Sequence, residues 1–369
     1  MSGRRIAQVL GTSTGGIGTH VVSLTRELSA RGDRVTVFGP AATEERFGFR
    51  ETGARFVPIE ISASMDPVKD AAACWALRKA LRGPGGGAPD VVHAHGLRAG
   101  LVSRVAGVPG VPLVVSWHIH LDTSGGGVRD RLLREAEKAV ARGAAVSLCT
   151  DPDQVGAVLA SGGVDVRYAP VAAPPLPAAV RDAAEVKAEL GAEDRPVVLT
   201  VGRLHPVKRI DMLIDVAAGW RDMDPVPLVV VAGDGPIRSE LADRVAQRSA
   251  PVLLLGHRSD VADLLAAADL AVVTSDSETR QMFAQEALRA GRPLLATRAG
   301  GVPGLVGQAA RLIPTGDPAA LDAAVRELLA DPEESARLAK AGPEQAATWP
   351  SETDTVDQID ALYRELTGR

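Results

Sequence analysis

The stretch Ser277-Glu278-Thr279-Arg280-Gln281-Met282-Phe283-Ala284-Gln285-Glu286-Ala287-Leu288 carries one carboxylate in the loop after an apolar run and a second inside the helix that follows. At the start of such a helix, the free N–H groups of Met282 and Phe283 could hold phosphate oxygens. Glu286, one turn further in, could accept hydrogen bonds from two vicinal ribose hydroxyls, which leaves Glu278 nearer a sugar. Taken singly, each glutamate reads as a surface residue. Their position beside Ala287, Leu288 and Gly291, on a helix expected to pack on a sheet, argues for more.

Two other loops offer phosphate chemistry. Val201-Gly202-Arg203-Leu204-His205-Pro206-Val207-Lys208 runs from a strand toward a helix. Arg203, a planar fork, and Lys208, a point charge, could converge on one diphosphate; a pair of solvated surface cations is the plainer alternative. The first strand runs into Gly11-Thr12-Ser13-Thr14-Gly15-Gly16-Ile17-Gly18. Glycines there, Gly15 and Gly16 among them, let backbone approach an anion at a helix start. A dinucleotide fingerprint is excluded, because Gly-x-Gly-x-x-Gly is missing and the second strand ends Phe38-Gly39-Pro40 without an acidic ribose ligand. A Walker A lysine is also missing, and a plain tight turn stays open.

The histidines are graded by position. His118 ends an apolar run, where α/β sheets place ligands, although a histidine can simply cap a strand. His120 lies on the same face if the extended conformation continues. His95 is a candidate for an acceptor pocket. His20, near a helix start, is a weaker acceptor candidate and reads first as a cap or surface group. Asp151-Pro152-Asp153 and Asp222-Met223-Asp224 mimic a metal-binding Asp-x-Asp, but a helix cap and solvated acids are the favoured readings. No metal and no cofactor are expected.

The elements behind these loops alternate. Apolar runs at 6–10, 34–38, 91–93, 111–117 and 144–149 are separated by amphipathic stretches, and 197–201, 227–232, 252–255, 270–274 and 293–297 repeat the scheme. Such βα alternation predicts parallel sheets covered by helices on both faces. The seam Tyr168-Ala169-Pro170-Val171-Ala172-Ala173-Pro174-Pro175-Leu176-Pro177 is a stiff connector. The expected organisation is a doubly wound α/β domain over 1–172 and a second over 178–350. A C-terminal helix over about 351–369 is free to pack back on the first.

A length of 369 residues suits two cores. The net charge of −5 divides into +4 through residue 177 (20 basic, 16 acidic) and −9 beyond it (21 basic, 30 acidic). The basic half could face an anionic acceptor or a membrane surface. The helix-forming stretch 128–142 mixes Arg129, Arg131, Arg134, Lys138 and Arg142 with Asp130, Glu135 and Glu137, so an ordinary exposed helix is favoured over a membrane face. Two cysteines without metal spacing, no secretory pattern and no spanning apolar run lead to the expectation of a soluble cytoplasmic protein. Nothing points to nucleic acid.

Together these motifs resemble the retaining glycosyltransferases of family 4, with the GT-B architecture. Arg203 and Lys208 match the family's Gly-Arg-Leu-x-x-x-Lys, and Glu278 with Glu286 its Glu-x7-Glu. Ala299-Gly300-Gly301-Val302-Pro303 resembles its Gly-Gly-x-Pro. Gly15-Gly16-Ile17-Gly18-Thr19-His20 resembles its glycine loop, and Asp90-Val91-Val92-His93-Ala94-His95 and Ser116-Trp117-His118 its histidine-bearing strand ends.

The resemblance implies two domains facing across a cleft and sugar transfer from a nucleoside-diphosphate sugar, UDP favoured and GDP possible, to a hydroxyl of a small-molecule, glycan or lipid acceptor. Arg203 and Lys208 would hold the diphosphate, Glu286 the ribose, and Gly16 would reach the phosphates on closure. Glu278 and His118 would flank the transferred sugar as the catalytic pair. Leu255-Gly256-His257-Arg258 would lie against the base, and Gly233-Asp234-Gly235-Pro236 beneath the donor. Thr279-Arg280-Gln281 departs from the family's small residues after the first glutamate, and Ala169-Pro170-Val171-Ala172 replaces an Asn-Gly turn. The competing readings are a nucleotide-sugar epimerase of the same architecture and a non-catalytic nucleotide-sugar-binding subunit.

Overall fold

Short runs of Val, Leu, Ile and Ala become strands because helices cover both of their faces, and such strands can be apolar along their whole length. The computed structural model describes residues 3–13, 15–83, 87–119 and 127–368. It divides into two units, Met1–Pro174 with Pro350–Arg369, and Pro175–Trp349.

The first unit holds a parallel sheet of β1 (Arg5–Leu10), β2 (Arg34–Gly39), β3 (Arg55–Pro58), β4 (Val91–His95), β5 (Leu113–Trp117), β6 (Val146–Cys149) and β7 (Val166–Tyr168), in the order β3-β2-β1-β4-β5-β6-β7. Side chains alternate between its faces. Ala7, Val9, Ala94 and Val115 pack with Leu77, Ala99 and Val140, while Ile6, Leu10, Val91 and Val114 pack with Leu24, Leu28, Ile359 and Tyr363. Gln8 belongs to the second set by period.

Ile359 and Tyr363 come from the C-terminal helix Glu352–Thr367, started by a reciprocal cap between Ser351 and Asp354. Arg4, directly before β1, fastens this helix to the amino ends of the central strands β1 and β2. Its guanidinium pairs with Asp33 at 2.6 Å and with the carboxylate of Asp360, both nearly fully buried.

The second unit is a parallel sheet of β8 (Val197–Val201), β9 (Leu228–Ala232), β10 (Val252–Gly256), β11 (Leu270–Val273), β12 (Leu294–Thr297) and β13 (Arg311–Ile313), in the order β10-β9-β8-β11-β12-β13. Helix Met282–Arg289 buries Phe283, Ala284, Ala287 and Leu288 against Ala271, Val273, Leu294 and Ala296. In each sheet the strand order reverses once, at β1/β4 and at β8/β11. Beyond the carboxyl ends of strands at such a reversal the chains diverge and leave room for a ligand. The glycine loop follows β1, the Arg203 loop β8 and the Glu278 loop β11.

The basic helix Val128–Gly143 buries only Val140 and Ala141, as an exposed helix should.

Candidate functional site

In the second unit, Arg203 stands on the loop after β8, and the turn after β9 braces that loop from below. Leu204 N–H donates to the Asp234 carbonyl at 2.9 Å, and Gly202 N–H to the Ala232 carbonyl at 3.0 Å. The approach is too close for side chains. A Cβ on Gly233 would lie 1.8 Å from the Gly202 carbonyl oxygen, and one on Gly235 2.1 Å from that of Leu204. Gly235 thus serves the position of Arg203 whatever else it does.

The loop after β11 is tied to the same place. The Thr274 hydroxyl donates to the Lys208 carbonyl at 2.7 Å, and Asp276 N–H donates to the Val207 carbonyl at 2.8 Å. Lys208 Nζ then meets Glu278 Oε1. The same oxygen accepts from the Ser275 hydroxyl at 2.6 Å and from Gln281 Nε2 at 3.2 Å. A small cavity between these loops is lined by Thr200, Gly202, Arg203, Lys208, Thr274 and Gln281. Arg203 itself is exposed.

Helix Met282–Arg289 opens beside Glu278, with Gln281 as its cap. Gln281 Oε1 accepts from Phe283 N–H at 2.9 Å. One of the two amides expected to be free for phosphate is therefore engaged, because Gln281 puts a carboxamide where the resemblance leads one to expect a small residue. Met282 N–H has no such bond among the described residues. Arg280 turns to the Trp349 ring, its guanidinium carbon 5.8 Å from the centroid, and Arg289 approaches the same ring at 5.7 Å.

Glu286 is partly buried on this helix. Burial pushes its carboxyl up to about 7 from the ordinary 4.5, against the opposing pull of Arg289. His257 is exposed after β10. Arg258, expected near a base, forks onto Asp260 at 2.5 Å and Glu189 at 3.2 Å, and these partners hold its guanidinium above its usual range.

In the first unit, the helix after β1 starts at Gly16 with Gly15 as its cap. A Cβ on Gly15 would meet nothing within 4 Å, whereas one on Gly18 would lie 2.2 Å from the Phe47 ring. Packing therefore demands Gly18 and leaves Gly15 unexplained by sterics.

His20 is corrected from a cap or surface group to a buried one. The helix begins four residues earlier, so its second turn points His20 inward, 5.7 Å from the His95 ring and 5.5 Å from the His118 ring. His95 lies at the end of β4 and His118 directly after β5, with His95 Nδ1 and His118 Nε2 3.1 Å apart. Burial holds both rings, with His20 at about 4 and His93 at about 3, below the ordinary imidazole value. They are neutral at physiological pH. His120 lies outside the described residues.

Ser275, Gln8 and Tyr363 escaped the sequence reading. Ser275 had a signal, a hydroxyl directly after an apolar run. Gln8 had one too, a lone amide inside Ile6–Leu10. Of the two acid pairs, Asp151 caps helix Pro152–Ala160 by accepting from Asp153 N–H at 2.8 Å, and Asp222 pairs with Arg326 at 2.9 Å. Among the described residues no three His, Cys, Asp or Glu side chains gather as a metal would need, and no helix is long and apolar enough to cross a membrane.

Comparison with known proteins covers both units. Residues 15–174 match the family model for a glycosyl transferase 4-like domain, and residues 182–345 that for glycosyl transferases group 1. Alpha-D-kanosaminyltransferase of Streptomyces kanamyceticus is 32% identical over 74% of this chain and 77% of its own. The GDP-mannose-dependent alpha-(1-6)-phosphatidylinositol dimannoside mannosyltransferase of Mycobacterium tuberculosis is 28% identical over 94% of this chain and 92% of its own. Among solved structures, HepE of Anabaena in complex with UDP-glucose superposes with a TM-score of 0.81 at 20% identity, covering 98% of this chain and 100% of that one. Each parallel sheet thus has its counterpart in the GT-B fold, and the chain is an enzyme of the family 4 type of glycosyltransferase.

Proposed function

We propose that the chain moves a sugar from a nucleoside-diphosphate sugar, a UDP-sugar first and a GDP-sugar second, to an acceptor hydroxyl with retention at the anomeric carbon and without a metal. The observation that carries this reading is the convergence of Lys208, Ser275 and Gln281 on Glu278, beside exposed Arg203 and the start of helix Met282–Arg289. Relatives support the donor class: one is named as GDP-mannose-dependent, and a neighbour in fold is solved with UDP-glucose.

The diphosphate lies against Arg203, Lys208 and Met282 N–H, with its oxygens competing for the amide that Gln281 now holds. Glu286 accepts from the ribose hydroxyls. Glu278 has three donors on Oε1, and its Oε2 takes a sugar hydroxyl. As the bond from the anomeric carbon to the β-phosphate oxygen breaks, charge grows on that phosphate, where cations already stand; such preorganised groups lower the barrier most. The acceptor oxygen bonds to the anomeric carbon on the same face and passes its proton to the departing phosphate. Neutral His118 is the first unit's candidate catalytic group for the transferred sugar, and His95 and His20 are its candidates for the acceptor. The acceptor is a small molecule, glycan or lipid hydroxyl, and the site of action is the cytoplasm.

A thermal-shift series with UDP, GDP and ADP, followed by calorimetry, tests the reading, since ligands of the folded state raise its melting point. UDP or GDP should stabilise the wild type and stabilise Arg203→Ala less. If none of the three binds, or if Arg203→Ala binds as the wild type does, the donor site lies elsewhere. Sugar turnover without any acceptor would indicate an epimerase instead.

A further inference from the structure

Gln281 holds two parts of the second unit's site with one carboxamide. Its Oε1 accepts from Phe283 N–H at 2.9 Å, at the start of helix Met282–Arg289, and its Nε2 donates to Glu278 Oε1 at 3.2 Å. The side chain is 8% exposed and lines the small cavity between the loops together with Arg203 and Lys208. Both of its polar ends are satisfied by the protein, as a buried amide requires.

Oε1 and Nε2 belong to one planar group. A turn that takes Oε1 off Phe283 therefore also takes Nε2 off Glu278. A phosphate oxygen is charged, and a helix start favours it over a neutral carbonyl oxygen as the acceptor for its amides. Arg203 and Lys208 beside the cavity add to that preference. A nucleoside or a free sugar offers no such oxygen.

We propose that Gln281 is a specificity-determining residue that stands in for the donor's phosphate. An anionic phosphate oxygen displaces its carboxamide from Phe283 N–H, and the same turn opens the place of its Nε2 on Glu278 to a hydroxyl of the sugar. This rests on the reading that the diphosphate lies against Arg203, Lys208 and this helix start. The consequence is coupling between two subsites. Arrival of phosphate opens the sugar side, whereas a ligand without phosphate leaves Gln281 on Glu278. Glu278 keeps Lys208 and the Ser275 hydroxyl on the same oxygen, so it stays placed while Gln281 turns.

The test measures ligand affinity of the full chain in wild type, Gln281→Ala and Gln281→Asn. Calorimetry serves for UDP and GDP, and thermal shift for the phosphate-free uridine and guanosine. Gln281→Ala should bind the diphosphate about fivefold more tightly, the net worth of one hydrogen bond that need no longer be broken. Its affinity for the nucleoside should stay as in wild type. Asparagine is a strong helix cap but one methylene shorter, so Gln281→Asn keeps a carboxamide on the helix start and gives up Glu278. It should bind the diphosphate as wild type does. In nitrogen NMR of the glutamine side-chain amides, the resonance missing from Gln281→Ala should move on addition of UDP or GDP and stand still with the nucleoside. Weaker diphosphate binding by Gln281→Ala would make Gln281 a ligand of the donor and overturn the proposal, as would an equal gain in Gln281→Asn. Unchanged affinity in Gln281→Ala, with Arg203→Ala still impaired, overturns it alone and leaves the donor site standing. If Arg203→Ala also binds as the wild type does, the donor-site reading itself has failed, and this proposal goes with it.

Discussion

Lys208 Nζ sits on Oε1 of Glu278, across two loops that follow neighbouring strands of one sheet. The pair does more than neutralise two charges. With the Ser275 hydroxyl at 2.6 Å on the same oxygen, it fixes where both the ammonium and the carboxylate stand before any ligand arrives. Lys208→Met should lower turnover by about 10²–10³ if it grips the leaving phosphate, the usual cost of losing one preorganised donor. Glu278→Gln should also slow turnover, and the double variant should lose less than the product of the two, because residues acting as a unit are not additive. Steady-state kinetics of the three variants reads this directly; fully multiplicative losses would mean that the pair acts as two separate groups.

Gly235 predicts a steric lesion with a functional reading. Its Cβ would fall 2.1 Å from the Leu204 carbonyl oxygen, so Gly235→Ala must push the Arg203 loop away. Overpacking of this kind costs about 1–3 kcal/mol. The melting temperature should drop and nucleotide affinity should weaken together. Gly219→Ala is the control, since a Cβ there meets nothing within 4 Å; it should leave both unchanged.

Much of this was legible because apolar period and loop chemistry are local. The runs at Ile6–Leu10, Val197–Val201 and Leu270–Val273 declare themselves as strands, and Glu278, Glu286, Arg203 and Lys208 follow them at readable distances. Three-residue strands such as Val166–Tyr168 and Arg311–Ile313 are too short to show a period, and they exist because a sheet edge is there to pair with. The order of strands is equally silent. His20 was misread because the helix starts at Gly16, which puts His20 in its second turn on the buried side with Val21 and Leu24 rather than at a cap. The Gln281 cap is invisible without knowing which amide it reaches, and Tyr363 lies 355 positions from its partner Gln8.

Asp360 predicts a purely structural effect. Its carboxylate, 3% exposed, takes Arg4, Arg364 at 2.6 Å and Arg31 at 3.6 Å. Asp360→Ala strands part of that positive charge in the interior. Breaking a buried pair from one side costs about 3–5 kcal/mol, and the lower end applies here because Arg4 keeps Asp33. Urea titration followed by circular dichroism should show the loss, with Asp360→Asn falling between the wild type and the alanine variant. A midpoint unchanged in Asp360→Ala would mean that the C-terminal helix is held by its buried face of Val356, Ile359, Leu362 and Tyr363 without help from this carboxylate.

Glu286 predicts opposite pH dependences for binding and stability. Its carboxyl is raised from 4.5 to about 7 by burial, so the folded protein disfavours the ionised form. The sign for stability follows: this contribution is intact below about pH 4.5 and is lost as pH rises through about 7. A shift of that size amounts to about 3 kcal/mol once the group is ionised. Glu286→Gln should therefore be more stable than wild type at pH 8 and no more stable at pH 4.5. Ribose hydroxyls, by contrast, donate, and a carboxylate accepts from two of them better than a carboxylic acid does. Nucleotide affinity in the wild type should climb between about pH 6 and pH 8 as Glu286 ionises, with the bound form titrating lower than the free one. Glu286→Gln should bind weakly and without that slope. Calorimetry at both pH values decides the matter: equal affinity of wild type and Glu286→Gln at pH 8 would take the ribose away from Glu286, whatever the melting curves show.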